Sequence, residues 1–523
     1  MSELGQPEQT TSLPIVVVPE ELFARQERRG WLSEADIEEV AGLTRWSTSE
    51  LYGAVSAYPR LLVQPTERWP LVCGGPVCSE RGSKEVCGSV KGAETTCLGL
   101  CDQPVAALAT DGSQMTMAPG AAGLSYRSPT EPVVAAPGST FFGTDDPWEA
   151  VSLARSMQAD ELLELISRSN LRGRGGAGFP VSQKWASARQ AEGYPKFVIC
   201  NADESEPGTF KDRALLDHQP RRVLAGLAIA AHFLGAEAAI IYIRYEYRPQ
   251  HDRLIETLSD LKSEGHVGDG FDVVICRGAG LYVCGEESAL LNSIEGARPV
   301  PRDRPPYPVD RGLYGQPTLV SNVETLAAIP AILGRTELFD GRPGKLYCVS
   351  GDAETPGVYE FASPPTAREL LNRAGIRADR LSGFSMGGIS GGLLPVSAGH
   401  VTLDFDGPPE HGAYLGSGAL IALGRERCVA SFALEALRFF AGESCGKCFP
   451  CRIGTTRLKE RLEMLLEDGR WSESEITELL GLVSTGSACG LGPGAALMVS
   501  HLVRYFPAEI EGHRNGECSR GEA

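Results

Sequence analysis

The sequence predicts a multidomain α/β protein, and three observations predict it. At 523 residues the chain exceeds what one hydrophobic core supports, and its length suggests roughly three or four domains. Between about 142 and 335, helical periodicity alternates with short apolar strands bounded by turn residues, the pattern of an α/β domain. Beyond Ala430 the periodicity is helical and surrounds a cysteine cluster.

Taken in order, residues 1–30 read as an N-terminal tail that acquires helical character towards its end. Residues 31–117 carry amphipathic stretches near Glu34–Ala41 and Ser47–Ala57. Short strands at Leu71–Val72 and Val105–Leu108 then flank a glycine- and cysteine-rich loop. Residues 118–141, rich in Gly, Pro, Ala and Ser, read as a linker. In the segment 142–335, a helix is expected at Asp160–Ser167 and strands at Phe197–Cys200, Ala238–Ile243 and Phe271–Cys276. The longest apolar run, Val223–Ile243, contains His232, Gly235 and Glu237. It reads as a buried helix capped by Gly235 and then a strand, not as a membrane span. Residues 340–410 suggest a small α+β unit, with strands Leu346–Ser350, Gly357–Glu360 and Val401–Phe405 around helix Thr366–Ala374. Residues 425–510 read as a bundle of Ser431–Ala441, Thr456–Glu467, Glu473–Leu482 and Ala495–Tyr505, with 511–523 a tail.

The 49 basic and 67 acidic residues give a net charge of −18, which argues against nucleic acid and anionic lipid as partners. The opening MSELGQPEQT has no basic-then-apolar signal, so a cytoplasmic protein with reduced thiols is expected. In that compartment 15 cysteines point to metal or redox ligation rather than a disulfide framework. The 8 histidines offer no pair at ligand spacing.

Cys445, Cys448 and Cys451 form C-x2-C-x2-C, and Cys489 follows 38 residues later. Soft thiolates select Fe–S, Zn or Cu(I). Zinc ribbons bring two paired knuckles, whereas three plus one suits a [4Fe–4S] cluster, with zinc the alternative. Lys447 and Arg452 beside the thiolates would offset cluster charge.

Gly173-Arg-Gly-Gly-Ala-Gly178 matches G-x-G-x-x-G, but an amphipathic helix precedes it where a dinucleotide fingerprint needs a strand. What remains is a backbone that can approach a phosphate or a flat ring closely, with Arg174 and Lys184 nearby; a plain surface turn is the alternative. Two more segments, Cys200-Asn-Ala-Asp-Glu-Ser-Glu-Pro-Gly208 and Gly278-Ala-Gly-Leu-Tyr-Val-Cys-Gly-Glu-Glu-Ser288, crowd carboxylates and amides at strand ends. Such groups suit ribose, a flavin edge or a carboxamide, although helix capping would also explain Glu286 and Glu287.

LRGRGGAGFP, CNADESEPGTFKDR, YVCGEESALLNSIEG, SNVET and ESCGKCFPCR, in this order, resemble the NADH-binding, FMN-containing subunit of respiratory complex I. They equally resemble its relatives in NAD-linked formate dehydrogenases and NAD-reducing hydrogenases. The resemblance spans about Pro147 to Phe506. It implies an α/β FMN- and NADH-binding domain, a small ubiquitin-like β-grasp domain, and a C-terminal helical bundle with one [4Fe–4S] cluster. Carried over by position, it puts Gly173, Arg174, Gly175, Lys184, Asn201, Asp203, Glu204, Gly285, Glu286, Asn322 and Thr325 around FMN. NADH would stack near Gly176 and Phe179, with Glu206 and Glu287 on its ribose hydroxyls, which implies NAD over NADP. This sequence departs from the family pattern at Ser182, Ser187, Arg304, Tyr307 and Ser321, positions that bear chiefly on the dinucleotide.

Cys73, Cys78, Cys97 and Cys101 resemble the thioredoxin-like [2Fe–2S] subunit that partners this family. Only 18 residues separate the two pairs, so the thioredoxin-like ferredoxin segment is truncated; a zinc site or a vestigial domain are the alternatives, and Cys87 is a spare or substitute ligand. Cys200, Cys276, Cys284, Cys348, Cys428 and Cys518 lie mostly in apolar settings and read as structural. The implied function is hydride exchange between NAD(H) and FMN and single-electron exchange with the [4Fe–4S] cluster, with no side-chain acid or base. The implied partners are the other Fe–S and catalytic subunits of a multi-subunit complex. A soluble NAD-linked dehydrogenase, formate dehydrogenase first, is expected. A complex I subunit, a hydrogenase diaphorase, or a non-catalytic Fe–S scaffold are the alternatives.

Overall fold

A computed structural model of the chain describes residues 17–65, 69–117, 123–128, 131–134, 139–268, 270–334 and 341–518. The expected tail is replaced from Val18 onward by a packed helix, Val18–Arg29. Its Val18, Leu22 and Phe23 are buried in one cluster with Ile240, Tyr242, Leu290 and Ile294. Residues 1–16 of that tail lie outside the described residues. Helices Glu34–Ala41 and Thr48–Val55 follow, each opened by a serine capping box at Ser33 and Ser47, which satisfies two otherwise orphaned donors reciprocally.

The first sheet comprises β1 (Leu71–Cys73), β2 (Ala93–Thr95), β3 (Ala106–Leu108), β4 (Gln114–Thr116) and β5 (Ser125–Tyr126), in the order β2-β1-β3-β4-β5. β1 and β2 are parallel, and the short helices Pro76–Ser79 and Ser83–Ser89 lie between them in sequence. The stretch read as a linker therefore contains β5. It also contains β6 (Val133–Val134), which runs parallel to a strand of a distant sheet, Gly357–Phe361. Composition marked 118–141 as loop because two-residue edge strands leave no periodicity to read.

The second sheet comprises β7 (Phe197–Ala202), β8 (Ala238–Ile243), β9 (Asp272–Arg277) and β10 (Thr318–Asn322), in the order β10-β7-β8-β9 with every pair parallel. Parallel strands need cover on both faces. Helices Pro220–Leu234 and Val323–Gly334 pack on one another and on β7. Gly226 makes that contact possible, since a Cβ there would run into the Leu326 carbonyl. Gly235 ends the first of these helices in the left-handed region, at φ 69°.

The third sheet comprises β11 (Lys345–Gly351), β12 (Gly357–Phe361), β13 (Leu381–Met386), β14 (Leu393–Pro395) and β15 (Ala419–Gly424), in the order β14-β13-β15-β11-β12-β6. With helix Ala367–Arg373 it forms the small α+β unit. Two expectations are corrected here. Val401–Phe405 is not a strand, and β15, in the interior of the sheet, lies beyond residue 410. Val401 and Leu403 alternate and are buried as strand residues would be. Yet the Leu403 amide donates to the Pro365 carbonyl and the Leu403 carbonyl accepts from the Tyr347 hydroxyl, so the segment covers the sheet instead of joining it.

Helices Val429–Gly442, Phe449–Asp468, Glu473–Gly486, Leu491–Tyr505 and Pro507–Arg514 complete the chain. The last replaces part of the tail expected from 511. Among the described residues no helix is long and apolar enough to cross a membrane.

The N-terminal segment is held to the central domain by buried charge. Arg213 reaches Asp102 at 2.6 Å with both side chains 1% exposed or less, and Arg244 donates to the Cys97 carbonyl at 2.6 Å. Breaking a buried pair from one side costs about 3–5 kcal/mol, because the other charge loses its compensation. Asp102→Ala is therefore expected to lower the urea midpoint strongly. Asp379→Ala, at an exposed ion pair with Arg377, is expected to leave it in place.

Candidate functional site

In a parallel sheet, ligands bind outside the carboxyl ends of the strands, where the strand order reverses. Here that point lies between β7 and β10, and the register sets Asn201 opposite Asn322 at its lip. A cleft of about 510 Å³ opens there. Its wall includes Arg174, Gly175, Gly176, Asn201, Asp203, Glu204, Glu206, Gly285, Glu286 and Asn322, ten of the fifteen residues expected at the cofactors. Gly173, Phe179, Lys184, Glu287 and Thr325 are not part of that wall.

The glycine loop is closed by the Gly173 amide donating to the Phe179 carbonyl at 2.8 Å. It joins two helices, Ala159–Arg168 and Val181–Gln190, so it is not a strand-to-helix fingerprint. Gly176, at φ 135°, has open space where a Cβ would stand. A side chain there would be strained and would fill the space the loop leaves clear. Thr325 supports the loop from behind, accepting from the Arg174 amide at 2.9 Å.

The Arg174 guanidinium is buried and turned to protein groups: Glu324 at 3.0 Å and the Pro343 carbonyl at 3.1 Å. Glu324 also meets Lys211 at 3.3 Å and Lys345 at 3.4 Å, and accepts from the Leu346 amide at 2.9 Å. Burial alone would raise its pKa, but Lys345, Lys211 and Arg174 outweigh burial and hold it at about 2. Burial, with neighbouring cations, lowers Lys345 to about 8. Asp212 bridges the cluster to the lip, pairing with Lys211 at 2.7 Å and accepting from the Asn322 amide group at 2.6 Å. Sequence reasoning assigned no role to Lys211, Asp212, Glu324 or Lys345. Three of them stand inside the quoted stretches TFKDR and SNVET, and nothing marked Lys345.

The carboxylates on the cleft differ in use. Asp203, raised to about 7 by burial, accepts from the Ser205 hydroxyl at 2.6 Å. Glu204, also raised to about 7 by burial and Asp212, takes the Asp212 and Arg213 amides at 2.9 and 3.0 Å. Glu206 takes the Ile389 and Ser390 amides at 2.8 and 2.9 Å and the Tyr282 hydroxyl at 2.6 Å, pinning the central domain to the small α+β unit. At the rim, Lys184 pairs with Glu287 at 2.7 Å, and Arg304 reaches Glu287 at 3.2 Å and Glu286. Glu286 also caps helix Glu287–Ile294 through the Ser288 and Ala289 amides.

Cys448 and Gly490 are the N-caps of helices Phe449–Asp468 and Leu491–Tyr505, so Cys448, Cys451 and Cys489 all lie at helix N-termini. Partial positive charge at helix starts favours thiolates and an anionic cluster. Cys489 and Gly490 line the cleft themselves, so an iron–sulfur cluster on this set would border whatever the cleft holds. Lys447 donates to Asp303 and the Pro301 carbonyl, both at 2.6 Å; Arg452 stacks at 6.0 Å over Phe449. In the N-terminal segment Cys73, Cys78, Cys97 and Cys101 are all buried. Cys97 and Cys101 sulfurs lie 3.8 Å apart, and the Leu98 amide donates to Cys73 at 3.5 Å and the Gly208 amide to Cys101 at 3.3 Å. Amides aimed at sulfur suit a thiolate-bound metal.

The residues fit a flavin mononucleotide: a roomy, glycine-walled cleft with paired amides at its lip. Gly176→Val is expected to lower FMN retention at least tenfold, read as the flavin-to-protein absorbance ratio after gel filtration. The charge cluster predicts a pH signature. Glu324 falls from 4.5 to about 2 on folding, so its contribution is complete above pH 4.5 and is lost as pH falls towards 2. Glu324→Gln should flatten that acid limb of the urea midpoint and lower the plateau at pH 7.

A family model described as the Nuo51 FMN-binding domain matches residues 166–331, and one described as the NADH-ubiquinone oxidoreductase-F iron–sulfur binding region matches 431–513. The F 2 subunit of the NADH-quinone oxidoreductase of Rhizobium meliloti is 40% identical over 375 residues, 68% of this chain and 89% of the relative. The corresponding F subunit of Aquifex aeolicus is 37% identical over 399 residues, 72% of this chain and 91% of the relative. A crystal structure of an NAD+-reducing [NiFe]-hydrogenase in the H2-reduced state contains a chain with 30% identity and a TM-score of 0.85, covering 95% of this chain and 93% of that one. With a relative 40% identical over nearly all of its own length, this chain belongs to the family of the NADH-quinone oxidoreductase F subunits.

Proposed function

We propose that this chain is the NAD-linked electron-transfer module of a multi-subunit dehydrogenase, binding NAD(H) over FMN and passing electrons through a [4Fe–4S] cluster on Cys445, Cys448, Cys451 and Cys489. The observation that carries this reading is the shared wall: Cys489 and the glycine loop line one cleft. FMN, when bound, supplies the exchange between two-electron hydride chemistry and one-electron transfer. The chain's residues position it: Gly175 and Gly176 give close approach, and Asn201 and Asn322 offer amides at the lip. Glu287 at the rim, beside Lys184, suits ribose hydroxyls and repels a 2′-phosphate, which favours NAD over NADP. A role for the Cys73, Cys78, Cys97 and Cys101 set as a [2Fe–2S] centre belongs to the same proposal.

The two comparisons differ in how much of the chain they cover. The quinone-oxidoreductase relatives cover about 70% of this chain, whereas the hydrogenase chain covers 95%. That supports a soluble NAD-linked dehydrogenase or hydrogenase over respiratory complex I, with formate the first substrate to try and the cytoplasm its place. Purified protein should bind FMN and reduce an artificial dye with NADH, and Cys489→Ser should lose cluster iron while keeping flavin. Colourless protein after cofactor reconstitution, without dye reduction, would leave only the scaffold reading. Co-purified partners assayed with formate, hydrogen and quinone separate the complexes.

A further inference from the structure

Cys428, His513 and Cys518 read from sequence as unrelated residues. The structure brings them together, with one ligand atom from each lying within 4.8 Å of the others. The Cys428 sulfur is 3.2 Å from His513 Nε2 and 3.9 Å from a Glu509 carboxylate oxygen. Cys428, Glu509 and His513 are buried, at 1%, 6% and 7% exposure, and Cys518 is partly buried.

The backbone explains the convergence. Cys428 is the N-cap of helix Val429–Gly442, where its sulfur accepts from the Ser431 amide at 3.3 Å. Glu509 and His513 are four apart on helix Pro507–Arg514 and so share a face. Gly516, at φ 74°, turns the chain beyond that helix, and the Glu517 amide closes the turn on the Gly512 carbonyl at 2.9 Å. That return brings Cys518 back to His513. Two thiols and an imidazole from three pieces of chain form an S2N set, with the Glu509 carboxylate beside the Cys428 sulfur; thiolate and imidazole are usual protein ligands of zinc.

We propose that Cys428, His513 and Cys518 bind a structural zinc ion, and that the neighbouring Glu509 carboxylate moves in as its fourth ligand. The site is separate from the iron–sulfur set. Helix Val429–Gly442 has Cys428 at its start and leads into the Cys445 loop at its end, about 21 Å away at 1.5 Å per residue. Zinc there would clip the last helix to the first and fix the bundle end opposite the iron.

The test is metal analysis and zinc K-edge absorption on full-length protein purified anaerobically from zinc-supplemented cells. About one zinc per chain is expected, with two sulfurs at about 2.3 Å and nitrogen or oxygen near 2.0–2.1 Å. His513→Ala and Cys518→Ser should each lower zinc at least tenfold while iron and flavin contents stay at the wild-type level, which also shows that the variants fold. Zinc below about a fifth of an equivalent, or unchanged in both variants, overturns the proposal. So does zinc bound only by sulfur, which assigns it to another cysteine set, and so does a Cys428–Cys518 disulfide in the mass spectrum of unreduced peptides.

Discussion

Glu324 is the group on which the cofactor half of the molecule depends. Its carboxylate is fully buried, and it meets three cations carried by separate segments: Arg174 of the glycine loop, Lys211 after β7, and Lys345 at the start of β11. An isolated carboxylate in that place would be costly, and so would any of the three cations alone. The cluster is therefore cooperative by necessity: loop, central sheet and small α+β unit are in place together. The cleft they enclose rests on that charge balance as well as on the apolar core around it.

The same logic places the other segments. Glu206 reaches out of the central domain to the Ile389 and Ser390 amides, and Glu443, leading into the cysteine loop, accepts from the Tyr282 amide at 3.0 Å. Arg213 and Arg244 reach the N-terminal segment at Asp102 and Cys97. Each junction uses a buried or half-buried charge satisfied by backbone or by an opposite charge, a geometry apolar contact alone would not specify. Tyr282 stands at a crossing of these links, between Glu206 and Phe439. The segment containing it was singled out in the sequence for its carboxylates, not for its tyrosine.

What was legible in the sequence follows from range. Glu34–Ala41, Ala238–Ile243 and the Gly235 cap are set by local periodicity and backbone preference, and the structure has them. The Cys445 spacing is local too. Val401–Phe405 failed because its burial pattern equals a strand's while its hydrogen bonds go to Pro365 and Tyr347, and β5 and β6 failed because two residues carry no period. Lys345, and the meeting of Cys428 with His513, depend on contacts far apart in the chain. No spacing rule reaches across those distances; only the assembled sheet and bundle reveal them.

Floor and rim of the cleft then differ in kind. Beneath the glycine loop the charges are dry: Glu324 and Lys211 are 0% and 1% exposed. At the rim, Lys184, Glu287, Glu286 and Arg304 are 20–37% exposed, so their pairs are solvent-screened and individually weak. One Arg304 nitrogen spans both carboxylates and ties Glu286 to Glu287. A tightly held cofactor calls for a floor that does not rearrange. A substrate that enters and leaves at each turnover calls for partners that exchange readily with water and with hydroxyl groups. Arg304 and Tyr307, where this sequence departs from the family pattern, both stand on this exposed side and not on the buried floor.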